Sequence, residues 1–351
     1  VTAGDDLDYG RRVLTLRGVL GVSIRLDLRL VVSVVVLCAL TAVAACVAFT
    51  VGPIAVPLGT VVDVLTGRGD QYDRLVVNEI RAPRIIMAVV VGAVLGVSGA
   101  IFQSLTRNSL GSPDVIGFDS GAYLGVVVGT LYVGGSYDVK VAGALLGGFG
   151  TAALVYLLAF RGGVQGFRLI IVGIGVSFML SSLTAWLLLY RRAEVAMALQ
   201  RWGMGTLDGT DWDAVNASLV LLPFAVVAVA WVAWRMPVLE MGDDAAKALG
   251  LKVERTRVGM LVTGTALSAF GVAMTGPIAF IALAAPQIAR RITRTGTVGL
   301  ASAAAVGALL VSVCDIVTQL LPQPVPVGVI TVSVGGLYFM WLLFREGTRR
   351  G

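Results

Sequence analysis

An all-α polytopic membrane protein with about ten transmembrane helices is the fold class this sequence predicts, and three observations predict it. Of the 351 residues, 57% are hydrophobic and only 14% are charged, with a mean hydropathy of +0.89. A chain of that composition carries more apolar surface than a water-soluble core can bury. Apolar runs recur along it at the length needed to cross a hydrocarbon layer of roughly 30 Å. The 44 glycines follow no collagen period, and many recur within those runs at intervals of three or four, the spacing by which helices pack closely in lipid.

Residues 1–27 are polar, with Asp5, Asp6 and Asp8 followed by Arg11, Arg12, Arg17 and Arg25. They predict a short cytoplasmic tail, partly helical against the membrane surface. The apolar run 30–51 is too long for the core of a cleaved signal peptide and reads as the first span. Within a single transmembrane domain, 28–351, further spans are expected near 83–106, 115–134, 138–161, 168–190, 214–235, 258–276, 277–292, 298–321 and 326–344. The eighth, PIAFIALAAPQIARR, is short and carries Pro286. Charge decides in its favour. With ten spans and an inside N-terminus, 19 of the 27 Lys and Arg fall on the cytoplasmic side; without the eighth span the division is 13 against 14. Basic residues collect on the cytoplasmic side of membrane proteins, so ten spans are expected, with both termini cytoplasmic. Residues 52–82, 134–137, 191–213 and 321–326 then lie outside. Residues 107–114, 161–167, 236–257 and 292–297 lie inside.

Absences exclude whole classes of chemistry. With no histidine, imidazole catalysis and imidazole metal sites are impossible. Cys38, Cys46 and Cys314 all lie within apolar runs, with no disulfide or metal-ligand spacing. The only lysines are Lys140, Lys247 and Lys252, and none follows a glycine, so no phosphate-binding loop of the form GxxxxGK[ST] exists. No catalytic residues, metal or directly bound cofactor are expected. The net charge of +6 is topological and implies no nucleic-acid partner.

The stretch 81–125, RAPRIIMAVVVGAVLGVSGAIFQSLTRNSLGSPDVIGFDSGAYLG, is the most informative. Two apolar runs flank a polar knot, and Gly92, Gly96, Gly99, Gly117, Gly121, Gly125 and Gly129 predict two closely packed membrane helices. The largest inside loop, 236–257, holds an AAKAL segment between Gly242 and Gly250, preceded by Asp243 and Asp244. Acidic groups there satisfy free N–H groups and the helix dipole, so a short helix lying along the membrane is expected. Asp315 is an acid within the ninth span, and intramembrane acids are functional candidates. A hydrogen bond to a neighbouring helix is the expected role.

RAPR with GAVLGVSGAIFQSLTRNSLGSPDVIGFDSGA resembles the opening signature of the FecCD family, the permease subunits of ATP-binding-cassette (ABC) importers for iron–siderophores, haem and vitamin B12. The likeness continues in order through WGMGTLDGTDW (202–212), MGDDAAKALGL (241–251), GPIAFIALAAPQIARRI (276–292) and LPQPVPVGVITVSVGGLYFMWLL (321–343). SGAIFQS, GSPDVIGF, FRLIIVGIGV and VLEMGDD look closest to the second permease subunit of ferric enterobactin importers.

The resemblance implies a type II ABC importer permease fold in a bacterial inner membrane. It implies a homologous permease partner, two separate ATP-binding subunits that use the ATP, an extracytoplasmic siderophore-binding protein, and a ferric siderophore as substrate. By the same resemblance Arg81 and Arg84 would dock the binding protein, while Gln319 stands where the vitamin B12 importer has a third docking arginine. Gly242, Asp243, Asp244, Ala245, Lys247, Leu249 and Gly250 would form the coupling helix seated in the ATPase. Gln165, Gly166 and Phe167 match the cytoplasmic gate with different residue types. Gln287 replaces the histidine that many relatives carry after the proline of span eight. The rival from another class is an ion-coupled secondary transporter, which also uses Gly- and Pro-interrupted helices. It would need several intramembrane acids, and Asp315 stands nearly alone in the sequence.

Overall fold

The computed structural model of the chain describes residues 13–17, 23–160, 166–294, 299–323 and 325–350. The tail departs from expectation. Instead of a partly helical segment, β1 (Val13–Arg17) and β2 (Ser23–Asp27) pair antiparallel, Val13 opposite Asp27 and Arg17 opposite Ser23. VLTLR and SIRLD alternate apolar and polar residues, the period of a strand and not of a helix.

Helix α1 (Leu28–Thr50) starts where the Asp27 carboxylate accepts the Arg29 N–H at 2.9 Å, an ordinary side-chain cap. The following loop is not irregular: it contains α2 (Leu58–Leu65) and α3 (Gln71–Arg74), then a π-helical stretch, Leu75–Arg81, that runs into α4 (Ala82–Thr106). Pro83 sits in the first turn of α4, where its missing N–H leaves a carbonyl of the preceding π-helical turn without a helical donor. α5 (Pro113–Ile116) and α6 (Phe118–Tyr132) are separated by Gly117 at φ 92°, a conformation that glycine adopts without strain.

α7 (Tyr137–Ala159), α8 (Gly166–Leu189) and the unforeseen α9 (Ala193–Trp202) follow. α10 (Trp212–Glu240) contains Pro223 and Pro237, α11 (Asp243–Ala248) is short, and α12 (Val253–Thr275) is largely buried. α13 (Ile281–Thr293), α14 (Leu300–Leu320) and α15 (Val327–Arg350) complete the chain.

All ten predicted spans are helical, but not all equally long. Among the described residues, seven helices are long and apolar enough to cross a membrane: α1, α4 with its preceding turns, α7, α8, α10, α12 and α14. α6 has 15 residues and α13 has 13, and α15 is apolar over Val327–Tyr338. The third span is shortened by the break at Gly117. The eighth becomes helical only at Ile281, because Gly276 (φ 75°) and Phe280 (φ 71°) turn the chain first.

Hydrogen bonds show which ends share a side. Thr206 donates its N–H to Thr275 O at 2.7 Å, and Trp212 Nε1 donates to Asn78 O at 2.9 Å. At the opposite end Tyr156 Oη donates to Glu254 Oε1 at 2.8 Å, and Gln287 Nε2 to Ser109 O at 2.6 Å. α13 therefore leads from the first end to the second, as the ten-span alternation requires.

The glycines work as close-approach points, although not between the two runs that carry them. A Cβ at Gly92 or Gly96 would collide with the backbone of Gly307 or Ala303 in α14, and one at Gly99 with the Ala282 carbonyl in α13. Gly121 and Gly125 of α6 press instead on Gly147 and Gly143 of α7. The expectation that the two runs pack on each other is corrected: each glycine face serves a different partner, and α4 becomes the buried centre of the bundle. Without a gain from apolar burial between helices in lipid, this proximity supplies the dispersion contacts and specificity.

Candidate functional site

Polar side chains that matter gather at the two ends of the bundle. At the end carrying the 236–257 loop, α11 forms as the acidic Asp243 and Asp244 at the head of AAKA predict. Gly242 enters at φ 111° and Gly250 leaves at φ 80°, conformations that a side chain would strain. Ala246 is buried beneath the helix. Asp243 bonds Arg107 at the end of α4 (2.6 Å) and Arg257 in α12 (2.8 Å), and Arg107 also donates to Leu239 O at 3.2 Å. One carboxylate thus joins the short helix to two spans. Asp243 is thus engaged within the chain. Asp244, Lys247 and Leu249 stay exposed, with Lys247 3.8 Å from Asp244; Ala245 is half-buried.

Burial alone would raise the Asp243 pKa, but the hydrogen bonds and charges of Arg107 and Arg257 outweigh it and hold the group below 3.8. A depressed carboxylate stabilises the folded arrangement above its unfolded pKa and loses that contribution as pH falls through the folded value. Protection of the α11 amides, taken relative to the intrinsic exchange rate at each pH, is therefore expected to be alike at pH 7 and pH 5 and to fall only below about pH 4. Asp243→Asn should show the lowered protection already at pH 7.

At the other end, Asp315 is about 1% exposed. Arg84 donates to it from Nε (3.0 and 3.1 Å) and Nη2 (2.8 Å), while Gln319 Nε2 donates at 2.8 Å. Arg84 also reaches the half-exposed Asp208 at 2.5 Å. Asp315 therefore anchors α14 to α4, the inter-helix bond expected for it. Arg81 is a different case: it is 5% exposed, and its guanidinium donates to the carbonyls of Phe49 and Ile54. That geometry counts against docking by Arg81, which clamps the chain leaving α1. Gln319 lies inside the same network, near Gly52.

Of the gate residues, Gln165 lies outside the described residues. Gly166 presses on the Thr106 backbone at the close of α4, and Phe167 points out, largely exposed. Gln287 holds α13 to the link after α4 through Ser109 O. In the segment 202–212 Trp202 stacks on Tyr123 at 6.0 Å, and Gly205 O accepts the Gly328 N–H at 3.0 Å.

The view of Asp315 as a nearly lone intramembrane acid is also corrected. Asp119 in α6 is 6% exposed and accepts a hydrogen bond from Ser268. Asp114 accepts the Phe280 N–H at 3.2 Å. The DSGA of an apolar run was the available signal, hidden because Asp114 reads as the last residue of a solvated loop. Among the described residues, no group of three or more His, Cys, Asp or Glu is placed to hold a metal.

Long apolar helices joined through glycine faces define a multi-pass membrane protein, with one short helix mounted at one end. The chain belongs to the FecCD transport family, whose match covers residues 40–345. It is 46% identical over 301 residues to the ferric enterobactin transport system permease protein FepG of Escherichia coli (strain K12), covering 85% of this chain and 91% of that one. It is 36% identical over 273 residues to the Fe(3+) dicitrate transport system permease protein FecD of the same organism, covering 77% and 85%. A solved metal-chelate type ABC transporter in an inward-facing conformation superimposes with a TM-score of 0.76 at 25% identity, covering 90% of this chain and 99% of that one. The chain is thus a multi-pass ABC importer permease and not an enzyme; ATP hydrolysis belongs to separate subunits.

Proposed function

We propose that this permease carries a ferric siderophore, of the catecholate, enterobactin-like type, into the cytoplasm. It pairs with a homologous permease subunit, two ATP-binding subunits sit beneath α11, and a siderophore-binding protein delivers substrate at the end formed by 52–82 and 203–211. Both termini then lie in the cytoplasm of a bacterium and the protein in its inner membrane, in keeping with the basic-residue bias. Likeness to the enterobactin permease supports the substrate class.

The observation that carries the reading is the mount of α11. Asp243 ties it to α4 and α12, so force applied to the exposed Asp244, Lys247 and Leu249 reaches two central spans. A helix of 6 residues cannot be stable by itself; its place is held by these ties and a partner's cleft. At the opposite end docking falls to Arg84, which keeps some exposure, and not to Arg81.

With Leu249→Cys, disulfide cross-linking to a cysteine in the cleft of the cognate ATPase should be efficient and should change with nucleotide. Efficient linking from exposed Met241 or from Leu146 on α7, but not from 249, would contradict this seating.

A further inference from the structure

Local preference and structure disagree over residues 276–280, which join α12 to α13. Gly276 followed by Pro277 is a favourable opening for a helix, glycine as the cap and proline as the first helical residue. The helix nevertheless starts only at Ile281, after Phe280 at φ 71°. Three described residues other than glycine have positive φ, and two of them, Arg107 and Arg294, close a helix. A left-handed residue is ordinary at that end. Phe280 stands at the start of one, where the same conformation is strained for a bulky side chain. Asp114 holds it there: Oδ2 accepts the Phe280 N–H at 3.2 Å, while Oδ1 is buried with no partner among the described residues. Two unfavourable terms, strain and an unmet acceptor, thus meet at one hydrogen bond. Space flanks the segment on both sides. Phe280, Ala284, Cys314 and Gly335 line a cavity of about 90 Å³, and Pro277 and Ala279 border one of about 460 Å³.

We infer that residues 277–280 are a switch of the transport cycle, unwound in this structure and one further turn of α13 in a second conformation. When Phe280 turns into the right-handed region, its N–H leaves Asp114 for the Gly276 carbonyl. The Ile281, Ala282 and Leu283 N–H groups then gain the carbonyls of Pro277, Ile278 and Ala279. Thr331 Oγ1 gives up Ala279 O and keeps Gly328 O, both now at 3.0 Å. A helical residue advances about 1.5 Å against about 3.3 Å when extended, so the new turn draws Gly276 and α13 together. Both ends of the segment are attached. On the outer side Gly276 lies against the Trp202 carbonyl, and the Thr206 N–H bonds Thr275 O. On the inner side Gln287 holds Ser109, two residues from the Arg107 that grips Asp243 of α11. The switch therefore links the external segment 202–212 to the mount of the coupling helix, and its place in a transport cycle rests on the function proposed above. Asp114 is the positioning residue that favours the unwound form.

Pulsed dipolar distance measurement between spin labels on Met204→Cys and Ile292→Cys, both exposed, tests it. The purified permease complex is used in lipid nanodiscs without nucleotide or substrate, with the exposed Cys38 and Cys46 changed to alanine. Asp114→Leu should shift the population at least fivefold toward a shorter distance. Asp114→Asn, which keeps a carbonyl oxygen for the Phe280 N–H, should stay as the parent. Phe280→Ala and Phe280→Gly both lack the ring and differ in backbone preference alone. Alanine should populate the shorter distance about fivefold more than glycine, as their helix propensities require, and this pair serves if Asp114→Leu fails to assemble. One distance shared by Asp114→Leu and the parent, or by the Ala and Gly variants, overturns the switch. A shift in Asp114→Asn as large as that in Asp114→Leu overturns the role given to the Asp114 hydrogen bond. Since no nucleotide or substrate is present, the expected shifts together with gradient-driven uptake would fail the transport reading and leave the switch standing.

Discussion

Asp315→Ala destabilises the assembled permease by about 3–5 kcal/mol relative to the parent, the scale of leaving one member of a buried ion pair without its partner. Arg84 would keep a long hydrogen bond to Thr318 Oγ1 and Asp208, which lies in an exposed turn where ion pairs contribute roughly 0–1 kcal/mol. Denaturant melts of the purified complex provide the measurement. Asp208→Ala should shift the midpoint little, and the double change Arg84→Met with Asp315→Leu should recover most of the loss, because an apolar pair of similar volume needs no desolvation. A loss from Asp315→Ala no larger than that from Asp208→Ala would remove the pair from its place as the tie between α4 and α14.

Gly99→Leu has the larger effect on assembly. Even its Cβ would occupy the position of the Ala282 carbonyl, which is backbone and cannot swing aside. Overpacking by methylene groups alone commonly costs about 1–3 kcal/mol; here α4 and α13 must separate. Size-exclusion chromatography should find no monodisperse complex for this variant. Gly150→Leu is the control, since nothing lies within 4 Å of a Cβ there, and it should assemble as the parent does. Equal behaviour of the two variants would contradict the close α4–α13 approach.

These two sites also mark what the sequence could tell. Span number, order and the short helix at 243–248 were legible because hydropathy, basic-residue bias and N-terminal acids act locally. The glycine faces were legible as faces but not as pairs. Gly92 finding Gly307 is a matter of where α14 is delivered by the chain, more than 200 residues on, and spacing within one helix holds no record of that. Arg81 and Arg84 show the same limit more sharply. Three residues apart and chemically identical, one closes on the carbonyls of Phe49 and Ile54 while the other meets Asp315 and Asp208. Partner choice there is set by tertiary contacts. Asp119 was overlooked for a related reason: its acidity is unremarkable in sequence, and only burial beside Ser268 gives it weight.

The central claim is that this chain is a passive path whose work is supplied through α11 by ATP-hydrolysing subunits. The most direct measurement is uptake of ferric enterobactin into proteoliposomes holding this chain, its homologous permease partner and the ATPase, with the binding protein outside and nucleotide enclosed. The account predicts accumulation that requires enclosed ATP, is lost with a non-hydrolysable analogue, and is indifferent to an imposed proton or sodium gradient. Accumulation driven by such a gradient in vesicles without ATP would contradict it and make the chain an ion-coupled secondary transporter.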